Sequence, residues 1–354
     1  MNKILFGGSF DPIHLGHINM AESASIQLDA EVIFLPSKVA IWKENSTSIE
    51  HKVNMINLAI KDHSHFSIDL YEATKEKNYT IDTVRYFVNE YPNDRFFYLI
   101  GADHVNAFNR WKDAKEISKL VQIVFFRRPG YEINEENVKE YKMLEIVGDH
   151  KQVSSTNMRI FNCFELPKPV IDYIVENNLY FVPTIHTYLK DKRFKHSVSV
   201  ADLAYQIMYK HDPDNAEEAY TAGLLHDIGK EIDQLPIMKK HYPEYLDLPK
   251  FAYHQFAGEY IAKTIFKIDN EDILEAIRNH ATGNENMGKI AKVIYASDKI
   301  EPTRGFDSSE YIKAMMNDID EGFLMVLKAN KEFLENNRKD INNRLTSKCF
   351  KYYL

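Results

Sequence analysis

Apolar residues in the first half of the chain fall into short runs separated by stretches of helical period. Lys3–Phe6, Glu31–Leu35, Arg95–Ile100 and Val121–Phe126 are compact, β-rich runs with the length of buried strands. Between them, Ile18–Leu28, Lys52–Ile60 and Ile81–Asn89 read as helices, and a further helical stretch separates Ile100 from Val121. Strands that alternate with helices predict parallel βαβ units, with helices on both faces and ligands at the carboxyl ends of the strands. From about Phe194 the texture changes. Val198–Tyr209, Glu217–Leu225, Gln255–Phe266, Ile273–Asn279, Lys289–Ala296 and Tyr311–Leu334 follow one another as helices without a convincing strand. The chain reads as an α/β sheet domain followed by an all-α domain. The helical Val170–Glu176 exits through Asn177-Asn178, which places the boundary near Pro183–His186 and the domains at residues 1–184 and 185–354.

Composition narrows this picture. A length of 354 residues suits roughly two domains at about 150 residues each. With 44% hydrophobic and 27% charged residues, the chain has a globular rather than a disordered or fibrous composition. The net charge of −8 disfavours a nucleic-acid binder but leaves room for local basic pockets that hold phosphates. Cys163 and Cys349 cannot build a disulfide framework, which points to a reducing compartment. No apolar run approaches the roughly 18 residues that cross a bilayer. Ile4-Leu5-Phe6 is interrupted at once by Gly7-Gly8 and then Asp11, so no signal peptide is expected. The expectation is a soluble, cytoplasmic protein with no membrane or nucleic-acid partner; a homo-oligomer stays open.

Gly7-Gly8-Ser9-Phe10-Asp11-Pro12-Ile13-His14-Leu15-Gly16-His17 follows the first strand and opens the first helix. Glycines let backbone approach a ligand closely, and a helix N-terminus offers free N–H groups and a positive dipole end to phosphate. His14 and His17, three apart, can reach the same side and donate hydrogen bonds to phosphoryl oxygens whose charge grows in a transition state. Further on, Ser154, Ser155 and Thr156 supply hydroxyls at a helix start, with the forked donor Arg159 one turn later. Taken alone, that segment reads sooner as a plain helix cap, and Trp111 sooner as half-buried packing than as a stack on a ligand ring.

These residues resemble the His-x-Gly-His nucleotidyltransferase superfamily, and within it the bacterial nicotinate-nucleotide adenylyltransferases, over about residues 1–182. The resemblance is carried also by Asn78-Tyr79-Thr80-Ile81-Asp82-Thr83, Gly101-Ala102-Asp103 with Trp111, Arg127-Arg128-Pro129-Gly130, Ser154 to Arg159, and Tyr173-Ile174 through Leu179-Tyr180. It implies a Rossmann-like fold. It also implies in-line attack by the phosphate of nicotinate mononucleotide on the α-phosphorus of ATP, with a magnesium ion riding on the triphosphate. His14 and His17 would then be catalytic on the α-phosphate, with Ser154, Ser155 and Arg159 on the β- and γ-phosphates. Gly7, Gly8, Ser9, Phe10, Lys43, Thr80, Thr83, Gly101, Asp103 and Trp111 would complete the nucleotide sites. Lys43 follows Ile41-Trp42 where the family has Pro-His.

The helical half carries His196, His226-Asp227, His254, His280 and Asp298, so widely spaced that separate helices must bring them to one point. Imidazole with carboxylate suits Fe, Mn or Zn, and Asp227 beside His226 is placed to bridge two metals that activate water against a phosphate ester. The pattern resembles the HD-domain metal-dependent phosphohydrolases over about residues 190–330. Within them it is similar to the subgroup that splits diadenosine tetraphosphate into two ADP. Arg193-Phe194-Lys195-His196-Ser197, Ala222-Gly223-Leu224-Leu225-His226-Asp227-Ile228-Gly229-Lys230, Tyr253-His254, Asn279-His280-Ala281-Thr282-Gly283 and Ser297-Asp298 through Arg304 carry that likeness. By resemblance, His196, His226, Asp227 and Asp298 hold one metal. His254 and His280 hold the other and share Asp227, with Lys230 and Arg304 on phosphate and Asp227 catalytic. Two other readings stand beside this one: an acceptor such as phosphopantetheine for the first half, and a regulatory nucleotide-binding role for the second.

Overall fold

The four apolar runs, with two three-residue segments, become strands of one sheet. We describe a computed structural model covering all residues except 39–46, 76–77, 128–130, 149–164, 338 and 340. The strands are β1 (Asn2–Gly8), β2 (Glu31–Pro36), β3 (Phe66–Ile68), β4 (Arg95–Ile100), β5 (Gln122–Phe126) and β6 (Leu144–Ile146). Their order is β3-β2-β1-β4-β5-β6, and every pairing is parallel. Parallel neighbours need crossovers. Helices α1 (Leu15–Leu28), α2 (Ile49–Ile60), α3 (Thr80–Glu90), α4 (Ala102–Ala107), α5 (Ala114–Leu120) and α6 (Glu135–Glu140) lie between successive strands. The strand order reverses beside β1, so the crevice at its carboxyl end is where such a sheet takes a ligand.

Burial explains the uninterrupted apolar runs. Phe96 to Ile100 are all buried because helices cover both faces of the sheet. Leu5, Leu35, Tyr98 and Ile123 meet Ile81, Val84, Phe87 and Ile117 in one core cluster. The edge strands β3 and β6 were not expected from the sequence; at three residues each, they are too short to show a period.

Contacts divide the chain into two compact units, the second containing Ile174–Leu354 and the first ending with Glu165–Tyr173. The division falls inside helix α7 (Lys168–Glu176), a few residues before the expected Pro183–His186. The latter stretch lies in a short helix α8 (Val182–His186) that buries Val182 and Ile185. Proline is accepted in the first turn of a helix, where its missing N–H has no partner to lose, so Pro183 marks a helix start and not a linker.

The second unit continues with α9 (Asp191–His211), α10 (Ala216–Leu225), α11 (Leu235–His241), α12 (Tyr253–Thr264), α13 (Glu271–Asn279), α14 (Lys289–Ile300), α15 (Ser309–Asn317), α16 (Ile319–Asn336) and α17 (Arg344–Tyr353). Ala219 to Leu225 are buried without interruption, which makes α10 the central helix and delivers His226 and Asp227 into the interior. A Cβ at Gly223 would lie 2.6 Å from Ala201 Cα, so glycine is what lets α10 pass this close to α9. The single helix expected over Tyr311–Leu334 is two. At Asp318 the backbone is extended and the carboxylate accepts from the Glu321 N–H at 2.8 Å, capping a new start. Among the described residues no helix is long and apolar enough to cross a membrane.

Candidate functional site

At the carboxyl end of β1 the chain turns through Gly7-Gly8-Ser9-Phe10 and enters α1 directly after His14. A Cβ at Gly7 would lie 2.6 Å from the Tyr98 hydroxyl, so the passage beside β4 requires glycine. Phe10 turns its ring inward against Phe6, Phe34 and His17 and is buried. Ser9 Oγ is shielded from solvent with no hydrogen-bond partner among the described residues. A buried hydroxyl of this kind costs stability unless a ligand completes it.

The rings of His14 and His17 stack at 3.6 Å between centroids. The His14 backbone N–H donates to His17 Nδ1 at 3.3 Å, so neutral His17 carries its proton on Nε2, where it is free to donate. Burial, and then the neighbouring His14, hold the His17 pKa well below the ordinary imidazole range. The result is a neutral donor at a helix N-terminus.

Around this point the candidate residues divide. Gly101 precedes the first turn of α4, and Asp103 is exposed in that turn. Trp111 is partly buried, edge-on to Tyr98 at 6.2 Å. Thr80 is the first residue of α3. Thr83 is fully buried, donating to Glu72 Oε1 at 2.9 Å and accepting from Asn78 Nδ2 at 2.6 Å. Its hydroxyl thereby ties the start of α3 to Glu72. Glu72 was not singled out by sequence because nothing local marks it; burial raises its pKa to about 7. Lys43, Ser154, Ser155 and Arg159 lie outside the described residues.

In the second unit, α9 brings His196, the end of α10 brings His226 and Asp227, α12 brings His254, the end of α13 brings His280, and α14 brings Asp298. All six converge. Asp227 Oδ1 lies 3.2 Å from His254 Nε2 and 3.4 Å from His280 Nε2, while Oδ2 lies 3.7 Å from His226 Nε2 and 4.0 Å from His196 Nε2. Asp298 Oδ1 closes the second group, 3.2 Å from His196 Nε2 and 3.6 Å from His226 Nε2.

Each of the four imidazoles faces an oxygen acceptor through Nδ1. Those acceptors are Glu301 Oε1 for His196 at 2.9 Å, Gly223 O for His226 at 2.6 Å, Phe251 O for His254 at 2.6 Å and Ile277 O for His280 at 2.8 Å. The ring proton therefore sits on Nδ1, and four Nε2 lone pairs point inward. His254 and His280 face each other Nε2 to Nε2 at 2.9 Å, and buried His226 Nε2 has no hydrogen-bond partner among the described residues. Burial pushes the His280 pKa down to about 3, so that ring is neutral at neutral pH. Inward lone pairs with two carboxylates are repulsive unless a cation lies among them. The donor set fits a metal, and His196, His226, Asp298 and His226, Asp227, His280 form two compact ligand groups.

A cavity of about 330 Å³ opens on this cluster. Lys230, Arg304, Arg193 and Lys299 line it. Arg193 Nη1 donates to Asp227 Oδ2 at 2.8 Å, and Lys299 Nζ donates to the His280 carbonyl at 2.9 Å. Arg193 lies one helical turn before His196, a spacing that sequence inspection could have used. Glu301 could not be found that way, because its link to His196 is purely spatial.

Residues 5–161 match the cytidylyltransferase-like family model, and residues 193–303 match the HD domain model. The nicotinate-nucleotide adenylyltransferase of Bacillus subtilis is 36% identical over 194 residues, covering 51% of this chain and 99% of that one. A Mycoplasma genitalium protein named probable nicotinate-nucleotide adenylyltransferase/Ap4A hydrolase is 29% identical over 338 residues, covering 92% of this chain and 96% of its own. Among solved structures, a Clostridium acetobutylicum protein described as a predicted HD superfamily hydrolase involved in NAD metabolism is 31% identical. It covers 48% of this chain and 93% of that one, with a TM-score of 0.43.

Proposed function

Because the chain belongs to the nicotinate-nucleotide adenylyltransferase family and carries an HD hydrolase domain behind it, we propose a two-reaction enzyme. The first reaction transfers AMP from ATP to nicotinate mononucleotide. A phosphate oxygen of the mononucleotide bonds to the α-phosphorus while the bond to the β-phosphate breaks, giving nicotinate adenine dinucleotide and pyrophosphate. Such transfer depends on positioning and charge neutralisation more than on a nucleophilic side chain. The stacked His14 and His17 at the start of α1 carry this reading, with Nε2 of His17 available to the α-phosphate. Ser154, Ser155 and Arg159 are assigned to the β- and γ-phosphates, and Asp103 to the adenosine side.

The second reaction is hydrolysis of diadenosine tetraphosphate into two ADP. Water adds across the central P–O–P bridge, so each half leaves as ADP. The supporting observation is Asp227, whose two oxygens each face a separate group of imidazoles. Bound Fe, or alternatively Mn or Zn, supplies Lewis acidity toward water and a phosphoryl oxygen. Arg193, Lys230, Lys299 and Arg304 bind the phosphate chain and offset its charge.

Purified protein tests both reactions. Pyrophosphate release should depend on nicotinate mononucleotide and not on phosphopantetheine. Diadenosine tetraphosphate should yield ADP as sole product; nucleotide binding without ADP formation would identify the HD half as a regulatory module.

A further inference from the structure

We propose that Phe251 is a stacking platform for the base of a nucleotide whose phosphates enter the His/Asp cluster, so the second site selects nucleoside polyphosphates over base-free phosphate chains. This rests on reading that unit as a phosphohydrolase. Four cations and two carboxylates line its cavity beside His254 and His280. A lining of that kind suits any phosphate chain. Apart from Ala281, Phe251 is the sole apolar residue of the lining.

The ring is out of place for a core residue. Phe251 is 50% exposed, whereas the next aromatics along the segment, Tyr253 and Phe256, are buried. No ring partner for Phe251 exists among the described residues, although Tyr245 and Tyr242 both pack on Phe256 nearby. Leaving an aromatic ring unburied forgoes its hydrophobic stabilisation, and a ligand with a flat face would recover it.

Its backbone fixes where that face stands. Phe251 lies in the short turn Lys250–Ala252 that leads straight into α12, and its carbonyl accepts from His254 Nδ1 at 2.6 Å. One residue thereby orients an imidazole of the cluster and holds a π-face at a set reach from it. A molecule with an anionic chain and an aromatic end matches both features. Stacking on an aromatic side chain tolerates any base, so the selection is for a nucleotide rather than for adenine alone.

The test uses the full chain with Phe251→Trp and Phe251→Ala. Emission of the Trp variant, less that of wild type with its two native tryptophans, should be quenched by ADP and unchanged by inorganic pyrophosphate. The Ala variant should raise KM for diadenosine tetraphosphate about tenfold while hydrolysis of inorganic tripolyphosphate stays as in wild type. The Trp variant should restore the KM. Unchanged Trp emission at saturating ADP would overturn the proposal, as would equal damage to both substrates, which marks a merely structural role through His254. The reading of the unit fails separately. Wild type that hydrolyses neither substrate, with quenching by ADP alone, would sink the hydrolase and keep the stacking site.

Discussion

The imidazole rings of His14 and His17 lie face to face, with centroids 3.6 Å apart and planes 21° from parallel. Burial, and then the neighbouring His14, keep the His17 ring neutral near neutral pH. Its value to the reaction lies in donating to charge that develops only as the transition state forms.

Replacing His17 with alanine should therefore cripple dinucleotide synthesis while leaving the fold and ATP binding largely intact. Loss of one such donor costs about 2.7–4 kcal/mol, or roughly 100- to 1000-fold in rate. Steady-state pyrophosphate release at saturating substrates measures it, and near-normal turnover would remove His17 from the site.

Glu72 predicts a pH dependence of stability. Burial raises its pKa from 4.5 to about 7, so between these values the folded chain keeps a proton that the unfolded chain has lost. The resulting stabilisation is full below about pH 4.5 and is lost as pH rises through about 7. From pH 5 to pH 8 the loss should be roughly 2–3 kcal/mol. Glu72→Gln keeps an acceptor for Thr83 and cannot ionise. Its advantage over wild type in denaturant unfolding should be clear at pH 8 and should close toward pH 5.

Asp227→Ala should abolish hydrolysis of diadenosine tetraphosphate and lower metal content, because both imidazole groups lose the carboxylate they share. Synthesis of nicotinate adenine dinucleotide should persist, since its candidate residues all precede Phe181. Metal analysis and both assays on one preparation decide this. Full metal occupancy with unchanged hydrolysis would take Asp227 out of the site, and loss of both activities in a folded chain would reveal coupling between the halves.

Glu301→Ala should weaken metal binding by about 10- to 100-fold, because this buried carboxylate fixes the His196 ring through Nδ1. Glu301 also accepts from Ser199 Oγ at 2.7 Å and from Thr303, so its own orientation is fixed. Competitive chelation, read as metal retained per chain, separates this from a loss of fold followed by circular dichroism.

The sequence by itself determined the parallel α/β half, the helical half and the six His and Asp side chains that converge in the second unit. Each of these was written locally: in buried strand runs such as Phe96–Ile100, in the glycine turn before His14, and in His226-Asp227 at the end of an apolar helix. What only the tertiary structure decided was the pairing of groups distant along the chain. Thr83 meets Glu72, Glu301 orients His196, and the two oxygens of Asp227 divide the imidazoles between them. The start of α16 at Asp318 and the three-residue edge strands also emerged only there. Periodicity records which face of one element is buried. A buried hydrogen bond or a shared ligand is settled by how several elements pack, and no spacing along the chain encodes that distance.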